Sequence, residues 1–123
     1  MGAIMIEKEI KTILEIFMDD VPDRILLRKL SDLIEIKGFG QEYRACMTSE
    51  GLKYGDEDYF ADDSVKITIQ PPANRSDVMV IVTNQVFYDA LKNRVERFIS
   101  QNPSDREKAL QYMEIIKNNL SVN

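Results

Sequence analysis

Ile6, Ile10, Ile13, Leu14 and Phe17 recur at the i, i+4, i+7, i+8, i+11 spacing of one helical face, with Glu7, Lys8, Lys11 and Glu15 between them. This period predicts an amphipathic helix over residues 4–18. Asp19-Asp20-Val21-Pro22 interrupts it. Pro22 suits the first turn of a second helix, where a backbone N–H has no intrahelical partner to lose. Leu26, Leu30, Leu33 and Ile34 supply the buried stripe of that helix. Gly38 and Gly40 offer the positive φ that ends it, and Phe39 between them is placed to pack back on it.

Beyond Gly40 the period changes from 3.6 to 2. Tyr43, Ala45 and Met47 alternate with Glu42, Arg44 and Cys46, which predicts a strand over about 41–48. Val65, Ile67 and Ile69 alternate with Lys66 and Thr68 in a second, half-exposed strand. Pro71-Pro72 stops that strand because proline donates no ladder hydrogen bond. After the loop PPANRS, the continuous apolar run Val78-Met79-Val80-Ile81-Val82 reads as a central strand covered on both faces. Three strands joined this way predict an antiparallel meander.

Asn84 is placed to N-cap a third helix, along which Phe87, Leu91, Val95 and Phe98 repeat at helical spacing. Asn102-Pro103 opens a fourth, with Asp105 and Glu107 near the positive end of its dipole and Ala109, Leu110, Met113, Ile116 and Leu120 as its stripe. The predicted class is α+β: two N-terminal helices, a small three-stranded antiparallel sheet and two C-terminal helices. A length of 123 residues suits one domain spanning 1–123, with one core.

Charge changes this picture in one place. The chain has 21 acidic and 16 basic side chains, a net charge of −5. Residues 50–63, EGLKYGDEDYFADD, hold Glu50, Asp56, Glu57, Asp58, Asp62 and Asp63 against Lys53 alone, so the whole imbalance lies in fourteen residues. A partner for that segment should be basic, and direct binding of nucleic acid is disfavoured because it needs clustered Lys and Arg. Lys92, Arg94 and Arg97 form a small basic group on the third helix, which reads as a solvated face. Tyr54, Tyr59 and Phe60 lie among the acids. Tyrosines supply interface area at low entropy cost, while Phe60 suits burial as well as exposure.

The chain has no histidine and one cysteine. Ser-His-Asp and Cys-His catalysis are therefore excluded, as are His-containing zinc sites, thiolate clusters and intramolecular disulfides. Cys46, placed on a strand, reads as a packed thiol with no catalytic role. The acidic run lacks calcium-loop spacing, because Gly55 precedes Asp56-Glu57-Asp58, and Gly38-Phe39-Gly40 follows a helix where a phosphate loop would follow a strand. No cofactor or metal motif is present. No apolar stretch reaches the ~20 residues of a membrane span, no signal peptide opens the chain, and Ile6 stands where a myristoylation signal wants Ser or Thr. These readings point to a cytoplasmic binding protein without catalysis.

The acidic-aromatic loop Gly55-Asp56-Glu57-Asp58-Tyr59-Phe60, the strand V-K-I-T-I-Q-P-P, the strand V-M-V-I-V and the helix opened by Asn84 and Val86-Phe87-Tyr88 together resemble the CdiI-type immunity proteins. Those proteins partner ribonuclease toxin domains of contact-dependent growth inhibition systems. The resemblance runs from about Gly38 to Leu120. It implies a cognate nuclease toxin bound 1:1, with its active site covered, and no direct nucleic-acid or membrane partner. Tyr54, Asp56, Glu57, Asp58, Tyr59, Asp62 and Asp63 are the expected partner-binding residues. The rival readings are a small carboxylate-based or metal-dependent hydrolase and an acidic adaptor or nucleic-acid mimic aimed at another basic protein. Arg75, in the loop between the last two strands, and the Lys92-Arg94-Arg97 group fit poorly on a uniformly acidic face.

Overall fold

The computed structural model describes residues 7–41, 43–70 and 77–123. Two helices, α1 (Glu7–Asp19) and α2 (Asp23–Ile36), lead into four strands, β1 (Gly38–Gln41), β2 (Arg44–Thr48), β3 (Ser64–Ile69) and β4 (Val78–Thr83). Helix α3 (Asn84–Gln101), a single 3₁₀ turn (Pro103–Asp105) and α4 (Arg106–Leu120) complete the chain. The strands form one antiparallel sheet in the order β1-β2-β3-β4.

The α+β class, the paired helices at each end and the antiparallel meander follow the sequence pattern, but the sheet has four strands where three were expected. The added strand is β1, formed by the Gly38–Gln41 stretch that was read as a helix end; the strand expected over 41–48 is β2, which starts at Arg44 and pairs back on β1 with Gln41 opposite Arg44 and Gly38 opposite Met47. Gly38 and Gly40 therefore lie in a strand and do not end α2. That helix stops instead at Lys37, whose left-handed φ of 65° breaks it one residue earlier. Gly38 is required for a different reason. A Cβ there would collide with the backbone carbonyl oxygen of Cys46 on the neighbouring strand. Phe39, expected to pack back on α2, stacks on Phe17 of α1 with ring centroids 5.5 Å apart.

Register builds the core in rows. Phe39 opposes Cys46, Cys46 opposes Ile67 and Ile67 opposes Val80, so one buried residue from each strand lines up across the sheet. Thr48, Val65 and Val82 form the next row. Leu14, Phe17, Leu26, Leu30, Leu33, Phe87, Leu91, Val95, Phe98, Met113 and Ile116 cover these rows from the helices, in one hydrophobic cluster. Each such side chain contributes about 1.5–3 kcal/mol when fully buried, so the helical stripes and sheet rows hold the layers together.

The opposite sheet face is open. Met47, Met79 and Ile81 point to it, and Met79 is 59% exposed. Here β4 departs from expectation: it is an edge strand buried on one face only, with Val80 and Val82 inward and Met79 and Ile81 outward. An unbroken apolar run fits a doubly covered strand, but no second layer lies over this face among the described residues. Pro71, Pro72 and Arg75 lie outside the described residues, as do residues 4–6 of the first expected helix.

Local caps refine the helix ends. Thr83, not Asn84, caps α3: its hydroxyl accepts from the Val86 N–H at 3.2 Å. Asn84 is the first helical residue, and its side-chain N–H donates to the Leu120 carbonyl at the end of α4, 3.2 Å away. Asn102-Pro103 opens the 3₁₀ turn, and α4 follows from Arg106.

Candidate functional site

The segment 50–63 connects β2 to β3 at the sheet end where α2 stops, α3 starts and α4 stops. The pairing of Thr48 with Val65 and of Ser64 with Thr83 fixes its two ends. Ser49 N–H donates to the Ser64 carbonyl at 2.9 Å, and Ser64 N–H donates to the Ser49 hydroxyl at 3.0 Å, closing the neck of the loop. Within it the chain runs through successive turns. The Asp56 carboxylate accepts from Lys53 N–H at 2.8 Å and Asp56 N–H returns to the Lys53 carbonyl at 2.9 Å, while Gly55 supplies a φ of 102°. Positive φ at Gly55 costs little because glycine has no Cβ. The bonds are local, so the loop holds its shape without entering the core.

Of the acids in this segment, Glu50 is spoken for: its carboxylate pairs with Lys37 at 2.6 Å. Asp56, Glu57, Asp58, Asp62 and Asp63 are exposed, and among the described residues none of them forms an ion pair. Tyr54 stands 90% exposed and meets Tyr59 edge to face, with centroids 5.6 Å apart. Tyr59 donates its hydroxyl hydrogen bond to Asp62 at 3.2 Å. Partial desolvation and then the Asp62 carboxylate, which holds the phenolic proton, raise the Tyr59 pKa above its ordinary value. Phe60 is half-buried, with the Lys66 ammonium 5.3 Å from its ring centre. The seven residues singled out in the sequence thus occupy one loop, and the two tyrosines touch.

The basic group of α3 departs from expectation at one residue. Lys92 and Arg97 are exposed as expected, but Arg94 is not. Arg94 is 6% exposed; it donates from Nε to the Met18 carbonyl at 3.1 Å and from Nη2 to the Val21 carbonyl and the Asp23 carboxylate, each at 2.6 Å. Arg97 pairs with Asp19 at 2.7 Å. The hydrogen bond from Arg94, with its charge and a further bond from Asn102, holds the Asp23 carboxyl below the ordinary aspartate range, against a desolvation that pushes the other way. The spacing held the signal for this burial. Arg94 follows Phe87 by seven residues and Leu91 by three, on the stripe that faces the core.

Two features carried no sequence signal. Ile10, Leu14, Met18, Ile81, Val86 and Ala90 line a groove of about 550 Å³ between α1, β4 and α3. A polar notch of about 330 Å³ lies beside the acidic loop, with Glu50, Asp62, Asp63, Asn84 and Leu120 in its wall. Cys46 is buried, and burial pushes its thiol up to about 12, so it remains protonated in the core. Among the described residues no three His, Cys, Asp or Glu side chains group closely enough to hold a metal ion, and no helix is long and apolar enough to cross a membrane.

A four-stranded sheet backed by helices on one face, with its net charge concentrated in one exposed loop, fits a protein that acts by binding another. The family model described as CDI immunity protein matches residues 8–113. The chain belongs to that family, the immunity proteins of contact-dependent growth inhibition, whose role is to bind a cognate toxin. Comparison with curated proteins and with solved structures gives no match.

Proposed function

We propose that this immunity protein neutralises a toxic nuclease, the ribonuclease C-terminal domain of its cognate toxin, by covering the basic active site 1:1 with the acidic loop. It acts in the cytoplasm as a stoichiometric inhibitor, without catalysis or cofactor and without touching nucleic acid. Asp56, Glu57, Asp58, Asp62 and Asp63 supply the charge, and Tyr54 and Tyr59 are the anchors. The observation that carries this reading is the loop itself: five exposed acids with no ion-pair partner among the described residues surround a pair of tyrosines. A nuclease presents cations where phosphates bind, so the loop's charge is complementary to such a surface.

The test is binding kinetics against the cognate toxin domain at low and high salt. Exposed acids act mainly on encounter, which salt screens beyond a Debye length of about 8 Å at physiological ionic strength. Neutralising Asp56, Glu57 and Asp58 together should slow association and flatten its salt dependence. Tyr54→Ala or Tyr59→Ala should instead speed dissociation, by about 2 kcal/mol or more in binding where the ring is a hot spot. Unchanged association and an unchanged salt slope in the triple variant would move the interface away from this loop.

A further inference from the structure

We infer that the notch beside the acidic loop is a receptor for one arginine side chain of the toxin. The inference rests on the reading that a basic partner meets this end of the molecule, and it names what that partner inserts. Glu50, Asp62 and Asp63 stand around the notch, and Asn119 and Leu120 bring the C-terminal end of α4 to it. That end carries the negative pole of the helix dipole; with Glu50 already paired to Lys37, the charge that favours a cation here is that of Asp62, Asp63 and the helix end.

The wall also holds an unused acceptor. Asn84 is only 9% exposed, and its amide nitrogen is committed to the Leu120 carbonyl, an atom that can only accept. The orientation of the amide is thereby fixed, and Oδ1 is left buried with no partner. A buried oxygen without a partner is destabilising, and a donor reaching it through the notch would satisfy it.

Size and spacing select the donor. The three carboxylates do not gather into a group able to hold a metal ion, and the notch, at about 330 Å³, has room for a side-chain head and part of its stem. A guanidinium fits this spread of acceptors because its five N–H groups point outward in one plane, whereas an ammonium concentrates three donors at one point.

The experiment is an NMR titration of the isotope-labelled protein with N-acetyl-argininamide, then N-acetyl-lysinamide, then calcium chloride. The arginine compound should give saturable shifts centred on the Asn84 side-chain amide and the backbone of Asp63 and Ser121, and the lysine compound should bind more weakly. Asp62→Asn with Asp63→Asn should weaken argininamide about tenfold or more, the scale of a lost charge-assisted hydrogen bond. Asparagine at 62 keeps the oxygen that Tyr59 uses, and at 63 it accommodates the φ of 48°, so the loop should stay folded. Non-saturable shifts, equal binding by the double variant, or tighter binding of calcium at the same resonances would overturn the assignment.

Kinetics with the toxin separates the two readings. The double variant should raise the dissociation rate about tenfold, on the same charge-assisted scale. Unchanged dissociation from a toxin that does bind sinks the notch and leaves the nuclease reading standing. Saturable argininamide binding by a protein that binds no nuclease toxin sinks that reading and leaves the notch.

Discussion

Arg94 and the acidic loop are both concentrations of charge, and the molecule treats them in opposite ways. Arg94 is enclosed, and its donors meet two carbonyls and a carboxylate, which ties α3 to the turn between α1 and α2. The five acids of the loop are exposed and have no ion-pair partner among the described residues. The first arrangement is internal and paired, the second external and open. Charge that closes on itself serves the fold; charge left open is available to another molecule.

The comparison breaks most readily at Arg94. Arg94→Ala should cost about 3–5 kcal/mol in denaturant unfolding, because Asp23 and the Met18 and Val21 carbonyls lose their shared donor. A loss under 1 kcal/mol would show that the enclosed guanidinium is dispensable. Asp23→Asn should cost less, about 1–2 kcal/mol, since the carboxylate is partly exposed and solvent screens it.

Acid sharpens the same contrast. The folded-state pKa of Asp23 is lowered, so its contribution is fully present above the unfolded aspartate pKa and is lost as pH falls through the folded value. The stability gap between wild type and Asp23→Asn should therefore close in strongly acidic solution and stay constant around neutrality. A gap that widens as pH falls would contradict the assigned sign.

Cys46 supplies a buried but uncharged reference. Cys46→Ala should cost about 1 kcal/mol through lost packing in its sheet row, with protection against the toxin kept. The native thiol should also resist a disulfide reagent until the protein unfolds. The smallest stability effect belongs to the loop. Neutralising Asp56, Glu57 and Asp58 together should alter unfolding by no more than about 0.5 kcal/mol, even as it slows toxin association. A large loss there would mean that the acids hold the fold.

The helices were legible because four core stripes repeat at 3.6 residues, and the loop was legible because its charge is contiguous in sequence. The failures arose where a neighbour decides the outcome. Residues 44–48 alternate as a strand should, but Gly38-Phe39-Gly40-Gln41 shows no alternation of its own and becomes a strand only by pairing with β2. Val78–Val82 is apolar throughout, and only the order of strands makes β4 an edge with Met79 outward. Arg94 was grouped by sequence proximity with Lys92 and Arg97, although its phase on the helix matched Phe87 and Leu91. The notch was invisible because it joins residue 84 to residues 50, 62, 63 and 120, which only the packed helices bring together.

The neck formed by Ser49 and Ser64 separates two kinds of structural constraint. Below it, an exchange must satisfy the rows of the sheet; above it, most of the side chains face only solvent or a partner. With the loop as the proposed toxin-binding face, residues 53–63 can be exchanged while the scaffold is kept, much as a key is recut without altering its bow. Grafting another family member's loop between Ser49 and Ser64 should accordingly preserve folding and redirect immunity toward that member's toxin.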